Sequence, residues 1–305
     1  MWLNLLVCMV MSFFLLLSVA FFTLFERKIL GFIQLRKGPN KVGFKGVFQP
    51  FSDAVKLFTK EFNYPWKSNF YPYWVSPFLA LIISLFFWLC FPYIYLITSW
   101  DYGILFLFSM MSFSVYSVMI SGWFSNSCYS VLGSIRCIAQ SISYEVSFFL
   151  MVLCLIYFTC SMNLHDFLNF QKENVLLFLH FPVFIMFLVS FLAELNRTPF
   201  DFSEGESELV SGFNVEYGGV GFSFIFLAEY LMILFASMLI CFLFLGVSSS
   251  KLYFYMLFCL MGGFFILIRA SLPRYRYDKL MDMCWKGYLT CTLNFILFYG
   301  SISFV

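Results

Sequence analysis

Apolar positions fill this chain in long unbroken runs, with neither the alternation of a half-buried strand nor the one-sided stripe of a surface helix. Runs of membrane-crossing length occupy 2–25, 77–98, 102–122, 142–162, 175–195, 219–246, 252–271 and 286–305. Each reaches about 20 residues, and at ~1.5 Å per residue such a helix covers a hydrocarbon core of ~30 Å. Backbone groups in lipid must pair within their own segment, so helices are the spanning elements. The pattern predicts an all-α polytopic membrane protein with eight transmembrane helices, forming one membrane domain over 1–305. The first run has no basic n-region and no small-residue cleavage site, which predicts a retained span rather than a signal peptide.

Eight spans return both termini to one side. The loops opposite them are 26–76, 123–141, 196–218 and 272–285. With their span ends they hold all of the 18 Lys and Arg except Lys172 and Lys251. The positive-inside rule places these loops in the cytoplasm or mitochondrial matrix. Within the longest loop, "KGPN" (Lys37 to Asn40) breaks the chain and Pro50 opens a new periodicity. Phe51, Ala54, Val55, Phe58 and Phe62 share one face, opposite Asp53, Lys56 and Lys60. This spacing predicts an amphipathic helix lying in the membrane interface, or one covering a neighbouring span.

Composition agrees: 62% of residues are hydrophobic and 11% charged, against ~25% charged in a soluble domain. No nucleic-acid partner is expected at a net charge of +2. The ten cysteines are scattered without a C-x-x-C pair, and the two histidines, His165 and His180, stand far apart. No metal site is predicted, and the cysteines read as small buried hydrophobes. The 46 phenylalanines reflect U-rich codons, as expected of an organelle genome with a T-rich coding strand.

Against this background the carboxylates are conspicuous. Six of sixteen (Glu194, Asp201, Glu204, Glu206, Glu208 and Glu216) fall within "AELNRTPFDFSEGESELVSGFNVEY", with Arg197 the lone base. Asp201 precedes three glutamates spaced two apart, so their titrations must couple. The spacing lacks the grammar of a calcium loop. Interleaved Pro199, Phe200, Phe202, Leu209, Val210 and Phe213 predict burial rather than a solvated acidic loop. Glu145, following Tyr144, and Glu229, beside Tyr230, fall inside expected spans, and Glu194 ends one. A lipid-facing ionised side chain at mid-depth costs ~2.5–3.5 kcal/mol, so such groups face a protein interior. They serve a proton relay, a polar ligand or an interhelical hydrogen bond. The last inner loop carries Arg269, Arg274, Arg276, Lys279 and Lys286. With Arg27 and Arg36 these could form a basic collar, or simply anchor the inner face.

Four segments, in order, carry a specific resemblance. "ERKILGFIQLRKGPNKVGFKGVFQPFSDAVKLFTKE", "RCIAQSISYEV", "AELNRTPFDFSEGESELVSGFNVEY" and "RASLPRYRYDKLM" resemble the membrane-subunit family of respiratory complex I called chain 1 in mitochondria and the H subunit in bacteria. The resemblance covers essentially the whole chain and agrees with its spans and sidedness. It implies a subunit of an NADH:ubiquinone reductase that translocates protons, in the mitochondrial inner membrane, with both termini on the intermembrane-space side. It implies that ubiquinone is met at an interface with peripheral-arm quinone-site subunits, alongside neighbouring membrane subunits and membrane lipid. It implies no cofactor held by this chain alone and no complete redox site in it, with NADH, FMN and iron–sulfur clusters in partner subunits. Arg27, Arg36 and Asp53 would border the quinone channel, and Arg274 and Arg276 its polar zone. Asp201, Glu204, Glu206 and Glu208 would line an acidic funnel, continuing through Tyr144, Glu145, Glu194 and Glu229 as a proton path.

Two other classes remain open at this level. A stand-alone ion or proton carrier would show broken helices and an inverted repeat, and the spans show little Gly/Pro interruption. The related anchor subunit of membrane-bound hydrogenases would pass on coupling without a long-tailed quinone.

Overall fold

The computed structural model describes residues 2–62, 64–93, 100–172 and 175–303, without the side chains of residues 2, 206, 207 and 303. The described residues form helices and no strands. In order they are α1 (Trp2–Ile33), α2 (Gln49–Phe58), α3 (Phe70–Phe87), α4 (Gly103–Phe124), α5 (Cys128–Thr159), α6 (Leu164–Phe170), α7 (Leu176–Leu179), α8 (Phe181–Glu194), α9 (Glu206–Leu209), α10 (Gly219–Leu245), α11 (Leu252–Ser271), α12 (Tyr277–Asp282) and α13 (Leu289–Ser303). A 3₁₀ turn, Trp88–Cys90, extends α3. A π-helical turn, Met283–Tyr288, joins α12 to α13.

Six of these, α1, α3, α4, α5, α10 and α11, are long and apolar enough to cross a membrane. The fifth and eighth expected spans are shorter. Over the fifth, the helix breaks at His180, because Pro182 has no N–H to offer the preceding turn. The resulting α8 has 14 residues, or ~21 Å of rise. The eighth contributes the 15 residues of α13, which continue from the π turn.

Other boundaries move for identifiable reasons. α1 runs to Ile33 rather than 25, so Glu26 to Lys28 are helical. α3 begins at Phe70 rather than 77, and Phe91 turns extended before Pro92. The part of that span at 94–98 lies outside the described residues. The largest correction is α5, which begins at Cys128 and absorbs most of the expected loop 123–141. That segment is rich in serine and reads as polar. In the fold, Ser130, Ser134, Ser141, Ser143 and Ser147 donate their hydroxyls to carbonyls three residues back. Satisfied in this way, a polar stretch can stay helical inside a protein.

α10 is the central helix. Of its most apolar window 67% is buried within the chain, against 11% for α1. It packs on α1, α3, α8 and α11 and meets α2, α6 and α7 at its ends. Lipid supplies no hydrophobic force between spans, so close packing must hold them together. α4 and α5 show this: a Cβ at Gly122 would lie 2.3 Å from the Ser134 Cβ. The expected amphipathic helix exists as α2, tied to α1 by Arg27 Nη1 on Asp53 Oδ2 at 2.6 Å and by an edge contact of Phe21 with Phe51. Phe51, Val55 and Phe58 keep much of their surface exposed, as a helix in the interface requires.

Candidate functional site

The acidic segment between α8 and α10 is folded against the bundle, and each part of it has a named anchor. Gln140, buried on α5, donates from Nε2 to the carbonyls of Ala193 (2.7 Å) and Phe200 (3.1 Å). Tyr275 N–H donates to the Pro199 carbonyl at 2.9 Å, and Arg274 Nη2 lies 3.2 Å from Asp201 Oδ2. These two contacts join the last inner loop to the acidic one. Further along, Phe213 N–H donates to the Ser203 carbonyl at 3.3 Å, closing the segment on itself. Gly212 makes that closure possible: its φ is +54°, and a Cβ there would meet the Ser203 oxygen at 1.7 Å. At the exit, Tyr217 stacks on Tyr73 of α3 with centroids 4.3 Å apart. Tyr73 Oη donates to the Glu216 carbonyl at 2.7 Å.

Two cavities flank the entry of this segment. The larger, about 100 Å³, lies between α3, α4, α8 and α10 and is lined by Glu194, Asn196, Glu229 and serines including Ser84 and Ser117. Those serines donate to backbone carbonyls, leaving their lone pairs as acceptors, so the space suits several waters. The smaller, about 20 Å³, is lined by Glu26, Arg197 and Arg269 among apolar neighbours. Buried Arg197 connects them. Its Nη2 lies 3.1 Å from Glu229 Oε2, and its guanidinium carbon sits 4.8 Å from the Tyr230 ring centroid. Burial alone would weaken the charge of Arg197, but Glu229, with Tyr230, Glu26 and Glu204, outweighs it and raises the pKa. Glu204 is shifted upward too, first by burial and then by Asp201, against Arg197, Arg269 and a hydrogen bond from Asn214.

The structure therefore brings Glu204 and Glu229 to Arg197, sets Asp201 within electrostatic reach of both carboxylates, places Glu194 on the cavity that Glu229 lines, and puts half-buried Glu145 within electrostatic reach of Glu194. Other candidates lie elsewhere. Glu208 is exposed and paired with Arg136. The Glu206 side chain lies outside the described ones. Tyr144 is fully buried, and its hydroxyl donates to the Leu280 carbonyl at 3.3 Å, away from the carboxylates. Arg36 bonds Gln34 at 2.9 Å, and Arg276 pairs with Asp278 at 3.0 Å, largely exposed.

One functional candidate escaped sequence reasoning. Glu26 is 6% exposed, is paired with Arg269 and accepts the Tyr230 hydroxyl at 2.5 Å. Placing the end of the first span at 25 made Glu26 look like one charge in a loop. Its position directly after an unbroken apolar run was the available signal.

A family model described as NADH dehydrogenase matches residues 6–300. NADH-ubiquinone oxidoreductase chain 1 of Locusta migratoria is 53% identical over 288 residues, covering 94% of this chain and 92% of that protein. Its counterpart in Anopheles gambiae is 51% identical over the same shares. That of Artemia franciscana is 50% identical over 291 residues, 94% of this chain and 95% of that one. An all-helical chain with several of its carboxylates drawn inside, matched along nearly its whole length, belongs to the NADH dehydrogenase family.

Proposed function

We propose that this chain, a membrane subunit of NADH–ubiquinone oxidoreductase, forms the membrane part of the ubiquinone cavity and couples quinone reduction to proton movement through its internal carboxylates. The observation that carries the reading is Glu229, which faces a cavity of about 100 Å³ shared with Glu194 while bound to buried Arg197. A carboxylate in that position changes its hold on a fixed cation whenever it gains or loses a proton.

Reduction of a quinone to the quinol takes up two electrons and two protons. The electrons come from groups in partner subunits, where NADH, FMN and the iron–sulfur clusters belong. This chain contributes walls and charges. The Arg27–Asp53 pair and α2 border the membrane side of the channel, with Arg36 beside them. Arg274, with Arg276 nearby in sequence, serves its polar zone and reaches Asp201. A change of charge in the channel is felt through Arg274 and Asp201 by Glu204, then by Glu229, Glu194 and Glu145. Glu206 and Glu208 belong to the same acidic segment, and Tyr144 supports the helix that carries Glu145. The basic loops face the mitochondrial matrix and both termini the intermembrane space.

Replacing Glu229 or Glu145 by Gln in the assembled enzyme tests the reading. Ubiquinone-linked proton pumping falls, while NADH oxidation by artificial acceptors at the flavin continues. Unchanged protons per electron in correctly assembled variants refute it.

A further inference from the structure

The two cavities are adjacent, since Leu195 lines both. What separates them on the polar side is one ion pair, with Glu229 on the larger cavity and Arg197 on the smaller. The polar contacts do not end there. Tyr230 follows Glu229 on α10, lies under the Arg197 guanidinium and gives its hydroxyl to Glu26, which Arg269 holds from α11. The contacts run Glu229, Arg197, Tyr230, Glu26, Arg269, and join residues 204 and 243 positions apart. Arg197 is incompletely bonded within this chain of contacts. Its Nε is buried and has no hydrogen-bond partner. A buried donor without an acceptor is costly and rare, and here it belongs to a cation that lies between two carboxylates.

We propose that Arg197 is a positioning residue that links the charge of Glu26 to that of Glu229, its guanidinium forming the divider between the two cavities. The inference rests on the function proposed above and deepens it. When Glu229 takes a proton it releases its half of the ion pair, and the guanidinium turns to the Glu26 side, where Tyr230 already bears its face. When Arg269 and the Tyr230 hydroxyl hold the Glu26 charge instead, the guanidinium is drawn wholly to Glu229 and the divider closes. The coupling is reciprocal, because each carboxylate alters the affinity of the other for the same cation. The groups facing Arg197 are Glu229 and Tyr230 from α10, Glu26 from α1 and Glu204 from the acidic loop. Asp201 and Arg269 act on Glu229 as well, and Glu194 shares its cavity. No group is transferred in this step: a cation changes partner, and protons arrive at or leave carboxylates.

Tyr230→Phe is the discriminating variant, because it keeps the ring beneath the guanidinium and removes only the hydroxyl to Glu26. In the assembled enzyme it shifts the pH midpoint of ubiquinone-linked turnover by about one unit, a tenfold change in proton affinity, and leaves the KM for ubiquinone unchanged. Arg197→Gln lowers pumping-linked turnover ~10-fold, equivalent to ~1.4 kcal/mol. Arg197→Lys restores only part of it, since an ammonium cannot stack and fork as a guanidinium does. Artificial-acceptor activity and the amount of full-size complex control for assembly, and where Arg197→Gln fails to assemble, Tyr230→Phe decides. A wild-type pH profile in Tyr230→Phe, with pumping abolished in Glu229→Gln, overturns this inference and leaves the proposed function standing. Normal pumping in Glu229→Gln overturns the proposed function itself.

Discussion

Gly212→Ala is the most direct test of whether the folded shape of the acidic segment positions its carboxylates. The added Cβ would sit 1.7 Å from the Ser203 carbonyl oxygen and 2.7 Å from its carbon. Both atoms are backbone, so no flexible side chain can give way. The left-handed φ of +54° costs a residue with a Cβ ~1–2 kcal/mol. Moving Ser203 away also breaks its hydrogen bond from Phe213, worth another ~1 kcal/mol. The penalty of ~2–3 kcal/mol before any clash exceeds what one closure contact can supply, so the segment reopens between 203 and 213. Asp201 and Glu204 lie at its base and lose their setting. Gly218→Ala is the matched control: it is in the same loop, and a Cβ there meets nothing within 4 Å. Hydrogen exchange of amides 201–214 in the assembled complex, with protons pumped per electron, reads both effects. Faster exchange and lower pumping are expected in Gly212→Ala and in neither respect for Gly218→Ala. Equal exchange in the two variants refutes the reasoning.

Two further outcomes follow from the same geometry. Burial and Asp201 hold the Glu204 pKa above the ordinary glutamate range, so the loop's stability is complete below that range and is lost as pH rises through the raised value. Exchange across 201–214 should therefore quicken with alkalinity beyond the intrinsic rate, and Glu204→Gln should flatten that dependence. Gln140→Leu removes both amide donors and leaves the Ala193 and Phe200 carbonyls with the backbone N–H groups of Asn196 (3.2 Å) and Phe202 (3.0 Å), a loss of ~1 kcal/mol per hydrogen bond. A lower melting temperature of the purified complex checks it, and an unchanged one refutes an anchoring role for Gln140.

Much of the architecture was legible from residue order alone. Lipid selects for long apolar helices, so hydropathy found the six long apolar ones, and the scarcity of carboxylates made their clustering at 193–217 visible. The amphipathic α2 followed from spacing around Pro50. Hydropathy measures the preference of a segment for lipid, however, and says nothing of which helix face meets protein. That is why the serine-rich first half of α5 passed for a loop, its hydroxyls being satisfied within its own backbone, and why Glu26 passed for an inner-loop charge. Partner choice was beyond sequence for the same reason. Arg197 stood in the sequence as the only base among six acids, and nothing local said that its partner would be Glu229, or that Tyr144 would turn to Leu280 instead. Those pairings depend on α10 passing through the centre of the bundle, which brings α1, α8 and α11 against one another's charges. Residue order determined a membrane-spanning helical chain with costly carboxylates held inside. Only the tertiary packing decided which of them share a cation, because desolvated charges must find partners across helices and only the folded bundle sets those distances.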